Sequence, residues 1–235
     1  MFLIDSIKRQ LHRDICRDPV LHGLVLNFYL NGEAYPDRVA DYFPVARADE
    51  PEIAAHLAAH LRDERKHVAL YSKALQRLAQ PQVEFPLPQV YNSMILAQTP
   101  AMQSGASSGE RRVQLAGFFA HLHFLERRIA HSLEIHADAC THSPSRYPAQ
   151  AVSAVLSDER RHVQYTRDVF HDLVPDRRAA AILAHHRRAE ARANLLFSGR
   201  QLGMLTRDYA TRFPRLRRPI YRIAAAIQEG IVHDG

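Results

Sequence analysis

Residues 63–68 read Asp-Glu-Arg-Lys-His-Val, and residues 158–163 read Asp-Glu-Arg-Arg-His-Val. The two hexapeptides differ only by lysine against arginine at the fourth position, and each contains the pattern Glu-x-x-His. Residues three apart on an α-helix share a face, so each copy presents one carboxylate and one imidazole in the same direction. The two pairs are Glu64 with His67 and Glu159 with His162. Facing each other, they can supply ligands for a pair of metal ions inside a four-helix bundle.

The spacing of apolar residues predicts an all-α chain. Apolar residues recur three and four apart, and almost no stretch alternates with period two. Pro36 predicts a break in one helix near residues 32–36. Four prolines and the run SGASSG make residues 80–108 the longest irregular segment, which we expect to be a long crossover between the second and third bundle helices. The helices are predicted over residues 2–16, 18–35, 49–78, 109–140, 148–174, 176–211 and 221–230.

A dinuclear site in such a bundle also needs one carboxylate from each of the other two helices. Glu33 and Glu126 are the candidates because both lie among apolar residues on the face of a predicted helix. Each precedes the glutamate of a hexapeptide by a similar distance, 31 residues in the first half and 33 in the second. Gly32 and Pro36 distort the helix around Glu33, so Asp37 remains an alternative to it. Glu134 fits less well, since it lies only 25 residues before Glu159.

The energetics of burial favour a metal over a chance pattern. One Glu-x-x-His pair alone is most often a surface pair on a charged helix. Four carboxylates converging inside an apolar bundle would be costly to bury and would repel one another. Bound cations remove both penalties, and carboxylate oxygen with imidazole nitrogen suits iron or manganese.

These residues resemble the ferritin-like superfamily of di-iron carboxylate proteins. The superfamily includes ferritins, rubrerythrins, the small ribonucleotide reductase subunit, bacterial multicomponent monooxygenases, arylamine oxygenases and a tRNA hydroxylase. Its D-E-x-R-H motif is complete in residues 158–162, whereas the first copy has Lys66 at the position of the arginine. The resemblance covers roughly residues 18–172. It implies a ferritin-like four-helix bundle with additional N- and C-terminal helices.

By that resemblance the metals are two iron ions, or a manganese and an iron. The implied ligands are Glu33, Glu64, His67, Glu126, Glu159 and His162, with Glu64 and either Glu126 or Glu159 bridging the ions. The acids of the hexapeptides would support the ligands from outside. Asp63 is expected to accept a hydrogen bond from His162, and Asp158 from His67, with Arg161 nearby; these bonds would fix the imidazole tautomers.

Three further residues lie one helical turn from these ligands. His60 precedes Glu64 and His123 precedes Glu126, so either could be an additional ligand, although a hydrogen-bonded core histidine is the favoured interpretation. Tyr71 follows His67 and could be redox-active; a buried tyrosine with a satisfied hydroxyl is favoured.

Composition limits the other possibilities. The formal charge is +6 with a pI near 9.6, and the basic excess lies in residues 177–196 and 211–222. It could bind nucleic acid or an acidic membrane surface, but a solvated helix face is favoured, so nucleic acid is not the expected partner.

Cys16 and Cys140 form no C-x-x-C pair and indicate neither a zinc nor a redox motif, which suggests a reducing cytoplasm. No stretch has the length and apolarity of a signal peptide or a membrane span.

We therefore expect one domain over residues 1–235, with the bundle core at 18–172 and a C-terminal helical extension at 173–235. The expected function is an oxidoreductase that activates dioxygen to oxidise or hydroxylate a small organic substrate, with electrons from a separate donor protein and a homodimer as a possible assembly.

Iron storage or peroxide detoxification is the first alternative. The chain lacks the cysteine pairs of a complete rubrerythrin, and its long basic C-terminal part departs from a ferritin shell subunit. Hydroxylation of a tRNA base is the second alternative.

Overall fold

The computed structural model describes residues 2–99 and 107–233. Within these residues the chain forms nine α-helices and no strand, so the all-α prediction is confirmed. The helices are α1 (Phe2–Arg17), α2 (Pro19–Glu33), α3 (Tyr35–Arg38), α4 (Pro51–Arg77), α5 (Tyr91–Leu96), α6 (Ser108–Ala139), α7 (Tyr147–Leu173), α8 (Asp176–Asp208) and α9 (Arg218–His233). Short 3-10 turns lie at Val45–Arg47, Leu87–Gln89, Cys140–His142 and Ala210–Arg212.

The boundaries of α2 follow from its capping residues. Asp18 caps the N-terminus by accepting hydrogen bonds from the backbone N–H groups of Val20 and Leu21, and Pro19 occupies the first helical position. The helix ends at Glu33, and α3 begins two residues later. The break therefore falls where Pro36 predicts it, and it leaves Glu33 in the last turn of α2.

Helices α4 and α7 pack against each other in opposite directions. His60 in α4 contacts Tyr165 near the end of α7, whereas His67 contacts Asp158 nearer its start. The two hexapeptides therefore face each other across this helix pair, and each histidine lies beside the acid of the other copy.

Helix α6 also runs opposite to α7. Glu134 near the end of α6 pairs with Arg160, and Arg112 near its start donates to the backbone carbonyl of Leu173 at the end of α7. Since α4 and α6 are both antiparallel to α7, they run parallel to each other. The segment between them must therefore travel the length of the helices, as predicted for residues 80–108. Pro100 and part of the SGASSG run lie outside the described residues.

Helix α2 completes the group of four. Asn27 in α2 donates to the carbonyl of Pro81, just beyond the end of α4, while Glu33 lies beside His67 in the middle of α4. The two helices are therefore antiparallel. Buried leucine, valine, phenylalanine and tyrosine side chains fill the spaces between the helices on either side of the charged residues.

The C-terminal helices return to the N-terminal part of the chain. Tyr221 in α9 donates a hydrogen bond to Asp14 Oδ2 in α1 at 2.8 Å. Helix α8 packs on α6, where Arg128 Nε donates to the buried Glu190 Oε1 at 2.6 Å. Of the helices in the described part of the chain, none combines the length and apolarity that crossing a bilayer would require.

Candidate metal centre

The six residues implied as ligands come from four different helices and all lie in the interior. Glu33 is in α2, Glu64 and His67 are in α4, Glu126 is in α6, and Glu159 and His162 are in α7. The most exposed of them, Glu64, is only 7% exposed. Ordinary surface Glu-x-x-His pairs would point into water, so this burial excludes a surface pair for both hexapeptides.

One group of donor atoms forms around His67. His67 Nδ1 lies 3.2 Å from Glu33 Oε2 and 3.3 Å from Glu159 Oε1. Glu64 completes this group, in which the four donor atoms lie within 4.8 Å of one another. Three carboxylates and one imidazole nitrogen thus surround a single point.

A second group forms around His162. His162 Nδ1 lies 3.3 Å from Glu159 Oε2, and Glu126 joins the pair within the same 4.8 Å limit. Glu159 therefore belongs to both groups, with one oxygen turned to each histidine. Glu64 is shared in the same way, since it also groups with His60 and His162. Glu64 and Glu159 are thus each shared between two donor groups, whereas Glu126 belongs to one.

The outer nitrogens of the two histidines are held by the acids of the opposite hexapeptide. His67 Nε2 lies 3.1 Å from Asp158 Oδ2, and His162 Nε2 lies 3.3 Å from Asp63 Oδ2. This is the crossed pairing that the resemblance implies. When each Nε2–H donates to a carboxylate, each Nδ1 keeps its lone pair for the interior.

The basic fourth position of each hexapeptide neutralises these two acids. Lys66 contacts Asp158 and lies 3.2 Å from Asp63, while Arg161 contacts Asp158 and lies 3.5 Å from Asp63. Burial alone would raise the pKa of Asp158, but the hydrogen bonds from Lys66 and Arg161 outweigh it and lower that pKa. Asp158 therefore remains an anion beside His67, and the lysine of the first copy contacts the same acid as the arginine of the second.

For two of the glutamates inside the centre, the surroundings raise the pKa instead of lowering it. Burial, followed by the charges of neighbouring glutamates, raises the pKa of Glu64 and of Glu159 well above the usual range. Burial also acts on Glu126, but the nearby His60, Glu159 and His162 outweigh it and lower the pKa of Glu126 to about 2. Bound cations would oppose the effect on Glu64 and Glu159, because nearby positive charge favours the ionised carboxylate.

The donor set of this centre fits a pair of hard to borderline cations such as iron or manganese. Carboxylate oxygens and imidazole nitrogens are the ligands these ions take in proteins. Glu159 Oε1 is fully buried and makes no hydrogen bond within the described part of the chain, so it is an acceptor aimed into the group without a donor. A cation at this point would satisfy it.

His60 makes the hydrogen bond expected of a core histidine and also presents its second ring nitrogen to two of the carboxylates. Its Nδ1 lies 2.6 Å from the hydroxyl of Tyr165, while its Nε2 lies 3.0 Å from Glu64 Oε1 and 3.4 Å from Glu126 Oε1. Neither carboxylate contact has the direction of a hydrogen bond. His60 is therefore a hydrogen-bonded core histidine whose other nitrogen is available as a seventh donor. Tyr165 was missed by the sequence argument, although it lies one turn after His162.

His123 and Tyr71, the other two residues predicted one helical turn from the ligands, have different surroundings. His123 Nδ1 contacts the backbone carbonyl of Val163 at 3.2 Å, and His123 belongs to none of the donor groups. Tyr71 is fully buried, and burial with the charges of the nearby glutamates raises its pKa well above the usual value. No side chain or backbone group of the described residues forms a hydrogen bond with its hydroxyl.

The two alternative carboxylates lie at the surface. Asp37 accepts from the guanidinium of Arg65 at 2.7 Å, and Glu134 accepts from Arg160 at 2.9 Å. Both carboxylates bind arginines at the surface. Glu33 from α2 and Glu126 from α6 therefore remain the carboxylates that reach the centre. Comparison of the chain with protein-family models, with curated proteins and with solved structures found no match.

Proposed function

We propose that the chain is a ferritin-like di-iron carboxylate protein, an oxidoreductase that uses dioxygen to oxidise or hydroxylate an organic substrate. The observation that carries the proposal is the meeting of four buried carboxylates and two imidazoles from four helices, with Glu64 and Glu159 shared between two donor groups. Such a shared set is what two adjacent ions need. A single structural ion would need only one group.

A bound iron pair would supply the electrons that reduce dioxygen and the oxidising power that acts on the substrate. For hydroxylation, the substrate C–H bond, one O₂, two electrons and two protons give the alcohol and one water. The chain has no second redox cofactor in this proposal, so a separate donor protein supplies the two electrons.

The protein's own residues would prepare this chemistry in two ways. Asp63 and Asp158 lie beside the outer nitrogens of the histidines, which leaves both Nδ1 atoms directed inward towards the glutamates. Apolar packing excludes water from the same region: the ring of Phe43 lies 4.8 Å from that of His60. In a dry site the charges of the ligands act on bound cations with little screening.

Iron oxidation or peroxide reduction is a second candidate, and the depth of the ligands favours it. Two surface cavities, of about 590 and 100 Å³, are lined by residues such as Ile7, Tyr221 and Arg112, and neither is lined by a candidate ligand. A centre whose candidate ligands are all 7% exposed or less suits a reactant as small as peroxide.

The test begins with metal analysis of protein produced with added iron and, separately, manganese. We expect two ions per chain, and we expect the Fe(II) form to consume dioxygen with a change in its absorption and Mössbauer spectra. Glu159→Gln should lose both properties, while Glu134→Gln, a surface control, should keep them. Absence of iron binding, or an Fe(II) form inert to dioxygen, would overturn the proposal.

A second measurement separates the two candidates. Dioxygen consumption is followed with a chemical reductant and a panel of small aromatic and aliphatic compounds. Oxidised organic product, with iron retained by the protein, supports the oxygenase. Rapid turnover of peroxide, or Fe(III) released without organic product, supports the second candidate instead.

A further inference from the structure

Two cysteines and two histidines that are far apart in sequence meet at a second point in the interior. Cys16 lies in the last turn of α1, His22 in the first turn of α2 and His136 in the last turn of α6, and Cys140 begins the 3-10 turn that follows. Three of the four are fully buried, and Cys140 is 2% exposed. None of them belongs to the carboxylate centre.

The four donor atoms have the spacing of a tetrahedral metal site. Zinc bonds of about 2.3 Å to sulfur and 2.0–2.1 Å to nitrogen imply donor separations of roughly 3.3 Å between nitrogens and 3.6 Å between nitrogen and sulfur. His22 Nε2 and His136 Nε2 are 3.0 Å apart. Cys16 Sγ lies 3.7 Å from His136 Nε2, and Cys140 Sγ lies 3.8 Å from His22 Nε2. All four donor atoms fall within 4.8 Å of one another.

The outer nitrogens of both histidines have partners of their own. His22 Nδ1 lies 3.3 Å from Ser143 Oγ, and His136 Nδ1 lies 3.2 Å from the hydroxyl of Tyr29 and 3.2 Å from His12 Nδ1. Ligand histidines characteristically use the second ring nitrogen in this way. With both protons on the outer nitrogens, two Nε2 lone pairs would face each other at 3.0 Å, which is repulsive unless a cation lies between them.

We infer that Cys16, His22, His136 and Cys140 form a closed Cys₂His₂ site for a zinc-class divalent cation. Two thiolates and two imidazoles in a tetrahedron select zinc over the ions that suit carboxylates. The protein fills all four positions, so the site is structural and leaves none open for a substrate. It ties α1 to the start of α2 and to the end of α6. Binding converts the two thiols to thiolates and releases two protons.

The sequence pattern conceals this site because its two halves are separate. Cys16 and His22 are joined by a turn between helices, and His136 and Cys140 lie one helical turn apart more than a hundred residues later. Neither half has the C-x-x-C spacing by which zinc sites are recognised in sequences. The sequence expectation of no zinc motif rests on local spacing alone, which carries no information about contacts between distant segments.

The first test uses the unmodified, full-length protein. We expect about one tightly held zinc per chain after purification, in addition to the metals of the carboxylate centre. A mercurial reagent that titrates both thiols should release that zinc to a chromogenic chelator. Cobalt(II) put in its place should show the intense visible bands of tetrahedral thiolate coordination. Protein that binds no zinc and gives no such cobalt spectrum would overturn the inference, as would a disulfide between Cys16 and Cys140.

Variants then separate this site from the carboxylate centre. Cys140→Ser should lower zinc affinity by at least tenfold while the two-ion content of the carboxylate centre is kept. His142→Ala, an exposed histidine on the same 3-10 turn, is the matched control and should keep its zinc. Glu159→Gln should lose the other metals but retain zinc. Zinc content unchanged in Cys140→Ser would contradict the assignment, and the wild-type cobalt spectrum decides the matter if this variant does not fold.

Discussion

His67 Nε2 lies 3.1 Å from Asp158 Oδ2, so the histidine of the first hexapeptide is held by the acid that opens the second. The reciprocal contact joins His162 to Asp63. The two copies of the repeated sequence are thus joined by two reciprocal histidine–aspartate contacts between α4 and α7. Each hexapeptide thus supplies the acid beside the histidine of the other.

Replacing Asp158 with Asn should weaken metal binding without unfolding the protein. The amide can no longer hold the His67 N–H through a charged acceptor, and it also leaves Lys66 and Arg161 without their shared carboxylate. We expect the affinity for Fe(II) or Mn(II) to fall by about 10–100-fold, measured by titration calorimetry. Asp168→Asn, at an exposed position on the same helix, should bind as the wild type does. Equal affinities in the two variants would argue against the supporting role of Asp158.

Replacing Glu64 with Gln should have opposite effects on the metal-free and metal-bound protein. Burial and repulsion from Glu33 and Glu126 penalise the Glu64 carboxylate when no cation is present. The metal-free variant should therefore be more stable, by about 1–2 kcal/mol in urea unfolding. Wild-type protein should gain about 2.7 kcal/mol from metal at a hundred times its dissociation constant, and the variant should lose most of that gain.

The surface variant Glu134→Gln supplies the control for this comparison. Its free energy of unfolding should stay within about 0.5 kcal/mol of the wild-type value in both states. A metal-free Glu64→Gln protein less stable than the wild type would show that the carboxylate group is not under electrostatic strain.

Two buried histidines away from the centre should make the fold sensitive to acid. Burial and the neighbouring His186 lower the pKa of His121 to about 3, and burial with His185 lowers the pKa of His186 to about 4. Both histidines are neutral in the folded chain but take up a proton near pH 6.5 when unfolded. Their contribution to stability is therefore complete above pH 6.5 and is lost as the pH falls towards 4, by up to about 1.4 kcal/mol per pH unit for each histidine.

His121→Gln should flatten this dependence. Urea unfolding of the metal-free protein at pH 7.5, 6 and 5 measures the slope, and the exposed His142→Gln variant provides the reference. The absolute stability of His121→Gln at pH 7.5 is expected to fall because its contact with the Tyr42 hydroxyl is altered, so the slope is the deciding quantity. An unchanged slope would mean that His121 is solvated in the folded state.

Two buried tyrosines should respond oppositely to loss of their hydroxyl groups. Tyr91 donates to Glu190 Oε1 at 2.8 Å, so Tyr91→Phe should cost about 1.5–3 kcal/mol of stability. The Tyr71 hydroxyl has no partner in the described residues, and Tyr71→Phe should be neutral or stabilising by up to about 1 kcal/mol in the metal-free protein. Thermal unfolding measures both. A loss of stability in Tyr71→Phe that appears only with metal bound would identify the loaded centre as the partner of this hydroxyl.

The helical class and the inward direction of each Glu-x-x-His pair could be predicted because both depend on local spacing. Helical periodicity places Glu64 and His67 on one helix face, and Glu159 and His162 on another, however the helices pack. The spacing between motifs also identified Glu33 and Glu126, and the structure brings both into the interior with the other four. Choosing Glu33 over Asp37 required the structure, because the break after α2 turns one side chain inward and the other towards Arg65.

Contacts between distant segments depended on tertiary packing alone. The antiparallel crossing of α4 and α7 brings Tyr165 to His60, and the docking of α1 on α6 brings Cys16 to His136. No local period encodes such pairs, since they depend on how helices from different parts of the chain approach one another. The sequence by itself therefore determined which side chains share a helix face, while the packed structure decided which faces meet and, with them, the grouping of Cys16 and His22 with His136 and Cys140.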